Sequence, residues 1–154
     1  MADNVNFIPE GYTAVTPYLY IRDAARAIEF YQQVFGATEV MRMGDPSGKI
    51  GHAEINIGGA HVMLADEFSD MHARSPQSFG GSSVGILLYV EDVDAVAERA
   101  VAAGAKMISP LKDEFYGDRM GKLEDPFGHI WAIATHKEDV SPQEMERRLA
   151  ALHG

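Results

Sequence analysis

Hydrophobic and polar positions along the chain fall into short alternating runs followed by helical runs, and the whole order occurs twice. Leu19-Tyr20-Ile21-Arg22-Asp23 lies over Leu88-Tyr89-Val90-Glu91-Asp92, 69 positions later. Each run alternates as a half-buried strand does and ends at an Asp suited to cap a helix. Helical spacing follows each Asp, through Ala27, Ile28, Tyr31, Val34 and Phe35 in Ala24–Phe35, and through Val93, Val96, Ala97, Ala100 and Val101 in Val93–Ala103. Gly36 and Gly104 supply the left-handed position that ends a helix. Short strands are expected next, at Thr38–Met43 and Lys106–Ser109. Each half then closes with a strand pair: His52–Ile57 with Ala60–Ala65 about the Gly58-Gly59 turn, and Arg119–Glu124 with His129–Thr135 about Asp125-Pro126-Phe127-Gly128. The pattern predicts an α+β chain of two strand–helix–strand–strand–strand modules, one at about 14–66 and one at about 83–136.

Between them, 67–82 is polar with Ser, Pro and Gly and reads as a linker. Beyond them, Ser141-Pro142-Gln143-Glu144 is a capping box that opens a helix over about 142–152. Its stripe of Met145, Leu149 and Leu152 is expected to dock, either on its own domain or across a subunit boundary.

Strand alternation assigns faces. Leu19, Ile21, Ile86, Leu88 and Val90 suit the helix-covered side, which leaves Thr16, Tyr18, Tyr20, Gly85, Leu87 and Tyr89 on the other. The two-residue Gly58-Gly59 turn pairs Ile57 with Ala60, Ile55 with Val62 and Ala53 with Leu64, an apolar set for the helix side. The opposite face then carries His52, Glu54, Asn56, His61, Met63 and Ala65. In the last strand Trp131 and Ile133 are buried under the helix, while Ile130, Ala132, Ala134 and His136 face away from it.

These paired modules, opened by Thr16-Pro17-Tyr18-Leu19-Tyr20-Ile21-Arg22-Asp23 and closed by Asp125-Pro126-Phe127-Gly128-His129, resemble the vicinal oxygen chelate superfamily of glyoxalases, extradiol dioxygenases and bleomycin-resistance proteins. The stretch from Tyr116-Gly117-Asp118-Arg119 to His136 and on to Pro142 is similar to its PhnB-like glyoxalase branch. The resemblance implies an eight-stranded, funnel-shaped sheet with helices outside, a small-molecule cavity inside, and a homodimer. Metal-dependent members hold one divalent ion with His or Glu from four strand positions, which fall here on Thr16, Met63, Gly85 and Ala132. A hydroxyl, a thioether, a hydrogen and a methyl are not donors for such an ion. No cofactor is therefore expected, and a metal would have to sit elsewhere.

The remaining chemistry lies with carboxylate, imidazole and phenol groups. Glu54 is the candidate general base or partner for a cationic ligand, with His52 or His61 as proton partner. Asn56, His61 and Met63 join the ligand-facing set, with Tyr18, Tyr20 and Tyr89 as aromatic platforms and Arg119 as a clamp for an anionic group. The alternative is structural: the polar groups hydrogen-bond one another or Arg119, and Arg119 pairs with Asp118 or Glu54. Two further patterns fail on context. Gly81-Ser82-Ser83-Val84-Gly85 has the nucleophile-elbow spacing but precedes a strand instead of a helix, and Gly44–Lys49 is a turn.

Composition narrows the functional classes. The 154 residues are 46% hydrophobic and 23% charged, as expected of one soluble globular domain. The absence of Cys removes disulfides, thiolate metal sites and a thiol nucleophile. A net charge of −10 disfavours nucleic acid and anionic membrane as partners. The opening Met1–Tyr12 lacks the basic start and apolar run of a signal peptide, and no apolar run is long enough to span a bilayer, so a cytoplasmic location is expected. Three functions compete: a metal-free binder of a small aromatic or cationic molecule, a glyoxalase- or isomerase-type enzyme using Glu54 and a His or a displaced metal, and a purely structural module.

Overall fold

The computed structural model describes residues 4–154. The chain divides into two compact units, Met1–Gly80 and Gly81–Gly154. The first holds β1 (Tyr18–Ile21), α1 (Ala24–Phe35), β2 (Thr38–Gly44), β3 (Ile50–Ile57), β4 (Ala60–Asp66) and the short α2 (Pro76–Phe79). The second holds β5 (Gly85–Tyr89), α3 (Val93–Ala102), β6 (Lys106–Asp113), β7 (Asp118–Glu124), β8 (Ile130–His136) and α4 (Pro142–His153). The eight expected strands form two four-stranded sheets of identical topology, β1-β4-β3-β2 and β5-β8-β7-β6. In each the first pair is parallel and the rest antiparallel. Among the described residues no helix is long and apolar enough to cross a membrane.

Within the first unit the core lies between sheet and helix. Ala27, Ile28, Tyr31 and Val34 of α1 are fully buried, as are Ile21, Ala53, Ile55 and Leu64 of the sheet. The hairpin pairs Ala53 with Leu64, Ile55 with Val62 and Ile57 with Ala60, the register that the Gly58-Gly59 turn dictates. Asp66 locks the module. Its Oδ1 accepts Asp23 N–H at 3.0 Å and Ala24 N–H at 2.9 Å at the start of α1, and Oδ2 accepts Ile50 N–H at 2.6 Å. In the second unit Thr135 stands at the corresponding position: its hydroxyl accepts Val93 N–H at 3.0 Å, at the start of α3, and donates to Val90 O at 2.8 Å. Trp131 is core, as expected, and donates its indole N–H to Asp125 Oδ2 at 2.9 Å.

Three segments differ from expectation. The polar stretch after β4 has structure of its own, a 3-10 turn at Ser69–Met71 and then α2. Glu67 organises it: the Ser78 hydroxyl, Ser75 N–H and Arg22 all donate to its carboxylate, which holds its pKa down at about 2, with Ser78 the largest cause. Strand β6 continues past Ser109 to Asp113, because a bulge between Ser109 and Lys112 absorbs Pro110, which has no N–H to give to the ladder. Helix α4 starts at its capping box, with Ser141 Oγ accepting Glu144 N–H at 3.2 Å, but none of its residues is buried. It is fastened by Arg148, which donates to Phe115 O, Glu138 and Glu144, while Leu149 and Leu152 remain exposed.

Candidate functional site

The open face of the first sheet, opposite α1, carries one row of side chains across four strands. Tyr18 on β1 is in register with Met63 on β4, Met63 with Glu54 on β3, and Glu54 with Met41 on β2. One step along lie Tyr20, Ala65 and His52. The small Ala65 leaves room for Tyr18 to reach over β4, and its hydroxyl meets His52 Nδ1 at 2.8 Å. His52 Nε2 in turn meets Glu54 Oε2 at 3.2 Å. Glu54 as a carboxylate only accepts, so Nε2 carries the proton in this contact. The result is a continuous hydrogen-bonded chain of Tyr18, His52 and Glu54.

The rings support the same patch. Tyr18 lies 5.1 Å from Tyr20 and 5.5 Å from His52, centroid to centroid. Burial, and then neighbouring Tyr20, push the Tyr18 hydroxyl above its ordinary pKa, so it remains a donor at physiological pH. Glu54 is 16% exposed, is in register with Met41 on one side and Met63 on the other, and has His52 as its one hydrogen-bond partner among the described residues. It is a half-desolvated carboxylate with acceptor capacity to spare.

Two expected members of this cluster are engaged elsewhere. Asn56 does pair with His61 across the hairpin, but its Oδ1 accepts Gly59 N–H at 3.0 Å and stabilises the turn. His61 contacts Gly11 O through Nδ1 at 2.9 Å and stacks on Tyr12 at 4.1 Å. It therefore anchors the segment leading into β1 and is not the proton partner of Glu54. The Tyr12 hydroxyl is buried there without a partner among the described residues.

On the second sheet the outcome is different again. Arg119 is in register with Thr135 and shares strand parity with the buried Gly121 and Leu123, so it stands on the helix-covered face. Its Nε and Nη2 both donate to Asp94 in the first turn of α3 at 2.8 Å, and Nη1 reaches Asp113 at 3.4 Å. The expected pairing with Asp118 is replaced by this fork, which suits Arg geometry, and the guanidinium pins a helix end. Tyr89 does lie on the open face, where it donates to Asp118 Oδ2 at 2.8 Å. Asp118 Oδ1 also holds His136 Nδ1 at 2.7 Å, and His136 Nε2 holds Asp139 Oδ1 at 2.7 Å. Asp118 and His136 were not nominated by sequence reasoning as site residues. The signal for them is the register pair Asp118–His136 with Tyr89 on the neighbouring strand, readable only once β7 is known to begin at Asp118.

Thr16, Met63, Gly85 and Ala132, the positions at which the resemblance implies metal ligands, carry a hydroxyl, a thioether, a hydrogen and a methyl, none of them a good donor for a divalent ion. Among the described residues no group of three or more His, Asp or Glu side chains is arranged to hold one.

Comparison with known proteins agrees with this architecture. Residues 11–133 match the family model described as Glyoxalase/Bleomycin resistance protein/Dioxygenase superfamily. An uncharacterized protein of Mycobacterium bovis is 40% identical over 141 residues, covering 90% of this chain and 93% of its own length. The X-ray structure of an Arabidopsis thaliana gene product is similar with a TM-score of 0.64 and 30% identity over 80% of this chain and 98% of that one. The crystal structure of TioX from a Micromonospora species is similar with a TM-score of 0.62 and 28% identity over 84% of this chain and all of that one.

Proposed function

Because the chain belongs to the Glyoxalase/Bleomycin resistance protein/Dioxygenase superfamily, we propose that it binds a small, flat, positively charged molecule on the open face of its first sheet, without a metal at the family's usual positions. Glu54 carries this reading: a carboxylate that is 16% exposed, flanked by two methionines, with one hydrogen bond to the His52 imidazole and two tyrosine rings in the same patch. A planar cation would supply the missing charge partner and stack on Tyr18 and Tyr20, where aromatic faces attract cations. Met63 between Tyr18 and Glu54 gives a polarisable floor. The reading is tested with benzamidine against its neutral counterpart benzamide, by thermal shift and then calorimetry. Benzamidine is expected to bind about tenfold or more tightly, a preference that Glu54→Gln removes. Equal binding of the two, or a preference that survives Glu54→Gln, would overturn it.

The Tyr18–His52–Glu54 chain supports a second reading, a glyoxalase- or isomerase-type enzyme in which Glu54 takes a proton from carbon and His52 holds the carboxylate in place. Turnover lost in Glu54→Ala with the fold intact would favour it over simple binding. Zinc, nickel, iron or manganese retained stoichiometrically by untagged protein would favour a displaced metal instead. We also propose a homodimer, supported by the exposed apolar side chains of Ile108, Leu149 and Leu152, and a monomeric mass by light scattering would refute it.

A further inference from the structure

Two of the histidines on the open faces, His52 and His136, are held by different kinds of partner, and the outer partner of His136 is fully exposed. His136 faces a carboxylate at each ring nitrogen, Asp118 at Nδ1 and Asp139 at Nε2, both at 2.7 Å. Ionised carboxylates only accept, so both nitrogens must carry protons and the ring is an imidazolium. The two carboxylates are unlike. The Asp118 side chain is 5% exposed, is in register with His136, and spends its second oxygen on the Tyr89 hydroxyl. The Asp139 side chain is fully exposed, lies between β8 and α4, and makes no other hydrogen bond among the described residues. One partner is built into the sheet and the other merely rests on the outer N–H.

Tyr89 shares the Asp118 carboxylate with His136 and is 57% exposed on the same face. From this arrangement we infer a second binding site, for a small planar molecule bearing a carboxylate, in which Asp139 occupies the anion position until the ligand displaces it. The exchange conserves charge: a ligand carboxylate on Nε2–H leaves buried Asp118 neutralised by the same imidazolium. A neutral ligand would strip His136 of its outer partner, and a cationic one would meet it head-on. The ligand's ring would lie over Tyr89. This inference concerns the opposite charge and a different sheet from the function proposed above, and stands independently of it. The net charge of −10 opposes an anion's approach, but beyond about 8 Å that opposition is screened at physiological salt.

The test follows the side-chain resonances of histidine-labelled protein at physiological ionic strength while benzoate is added, with benzamide as the uncharged control. Benzoate is expected to move the His136 signals and benzamide to leave them. Asp139→Ala removes the internal competitor and should tighten benzoate binding about two- to fivefold, the range of an exposed ion pair. His136→Gln and Tyr89→Ala should abolish it. Asp139→Asn gives the same direction of change while keeping the side chain's shape, so the result does not depend on either of those two variants folding. Equal response to benzamide, or benzoate binding that Asp139→Ala leaves unchanged or weakens, overturns the inference. Glu54→Gln should not alter the benzoate titration, which separates this outcome from failure of the first-sheet reading.

Discussion

Removing the Asp66 carboxylate is expected to destabilise the first module severely, and the size of the effect follows from its three backbone bonds. Asp66→Ala leaves Asp23, Ala24 and Ile50 N–H without their acceptor. Ala24 and Ile50 are 0% and 1% exposed, so water does not readily reach them, whereas Asp23 is exposed and can be rehydrated. Two buried donors left unsatisfied cost about 1–3 kcal/mol each, and loss of a negative charge at the α1 N-terminus adds about 0.3–1 kcal/mol. Some water will enter the vacated space, so the net loss should be about 3–5 kcal/mol, a large part of the roughly 5–15 kcal/mol typical of a domain. Asp66→Asn keeps one oxygen but turns an NH2 toward one of the donors, and should lose about 2–3 kcal/mol. Thr135→Val, at the matching place in the second module, removes only a neutral hydroxyl with one accepted and one donated bond, and should cost about 1–2 kcal/mol. Urea unfolding followed by far-UV circular dichroism measures all three, with the slopes checked for constancy. An Asp66→Ala loss below about 1 kcal/mol, or a Thr135→Val loss exceeding it, would refute the idea that this carboxylate locks helix to sheet.

Two other expectations concern the second module. The His136 pKa is raised above 6.5, first by Asp118 and then by Asp139, so its ion pairs contribute stability in full below about pH 6.5 and lose it as pH rises through the folded-state value. A nuclear magnetic resonance titration should therefore place His136 above the ordinary histidine range and show Asp118→Asn lowering it more than Asp139→Asn; a value at or below 6.5 in the native protein would contradict the double pairing. Gly117 has φ +106° and a Cβ there would run into the Glu138 carbonyl, so Gly117→Ala should destabilise by about 2–4 kcal/mol, and an unchanged midpoint in thermal unfolding would refute it.

The parts of the site that were legible in the sequence are those whose register a short turn fixes. Gly58-Gly59 permits one pairing, so the parity of His52, Glu54 and Met63 followed at once, and with it the face they share with Tyr18. The second hairpin turns through the longer Asp125–His129 loop, held by Asp125 N–H to His129 O at 2.8 Å, and such a loop leaves register open by a residue. A strand taken to begin at Arg119 hides that Asp118 is its first open-face position and that Arg119 belongs to the helix side. Competition from the backbone was equally invisible. Whether Asn56 serves a ligand or the Gly59 N–H, and whether His61 faces Glu54 or the Gly11 carbonyl, depends on where a turn and a preceding segment come to rest. Alternation places a side chain on a face; it does not say which neighbour has already claimed its polar atoms.

That distinction decides the chemistry of the two open faces. The internal repeat supplies equivalent strands, yet histidine stands on β3 in one module and at the end of β8 in the other. On β3 the imidazole bridges a phenol and a carboxylate, and because a phenol both donates and accepts, that environment suits either charge state of the ring. At the end of β8 the imidazole bridges two carboxylates, which accept only, and that environment suits a cation. The same residue type thus meets different demands in two copies of one fold, because the second hydrogen-bond partner of each ring differs in what it can accept or donate.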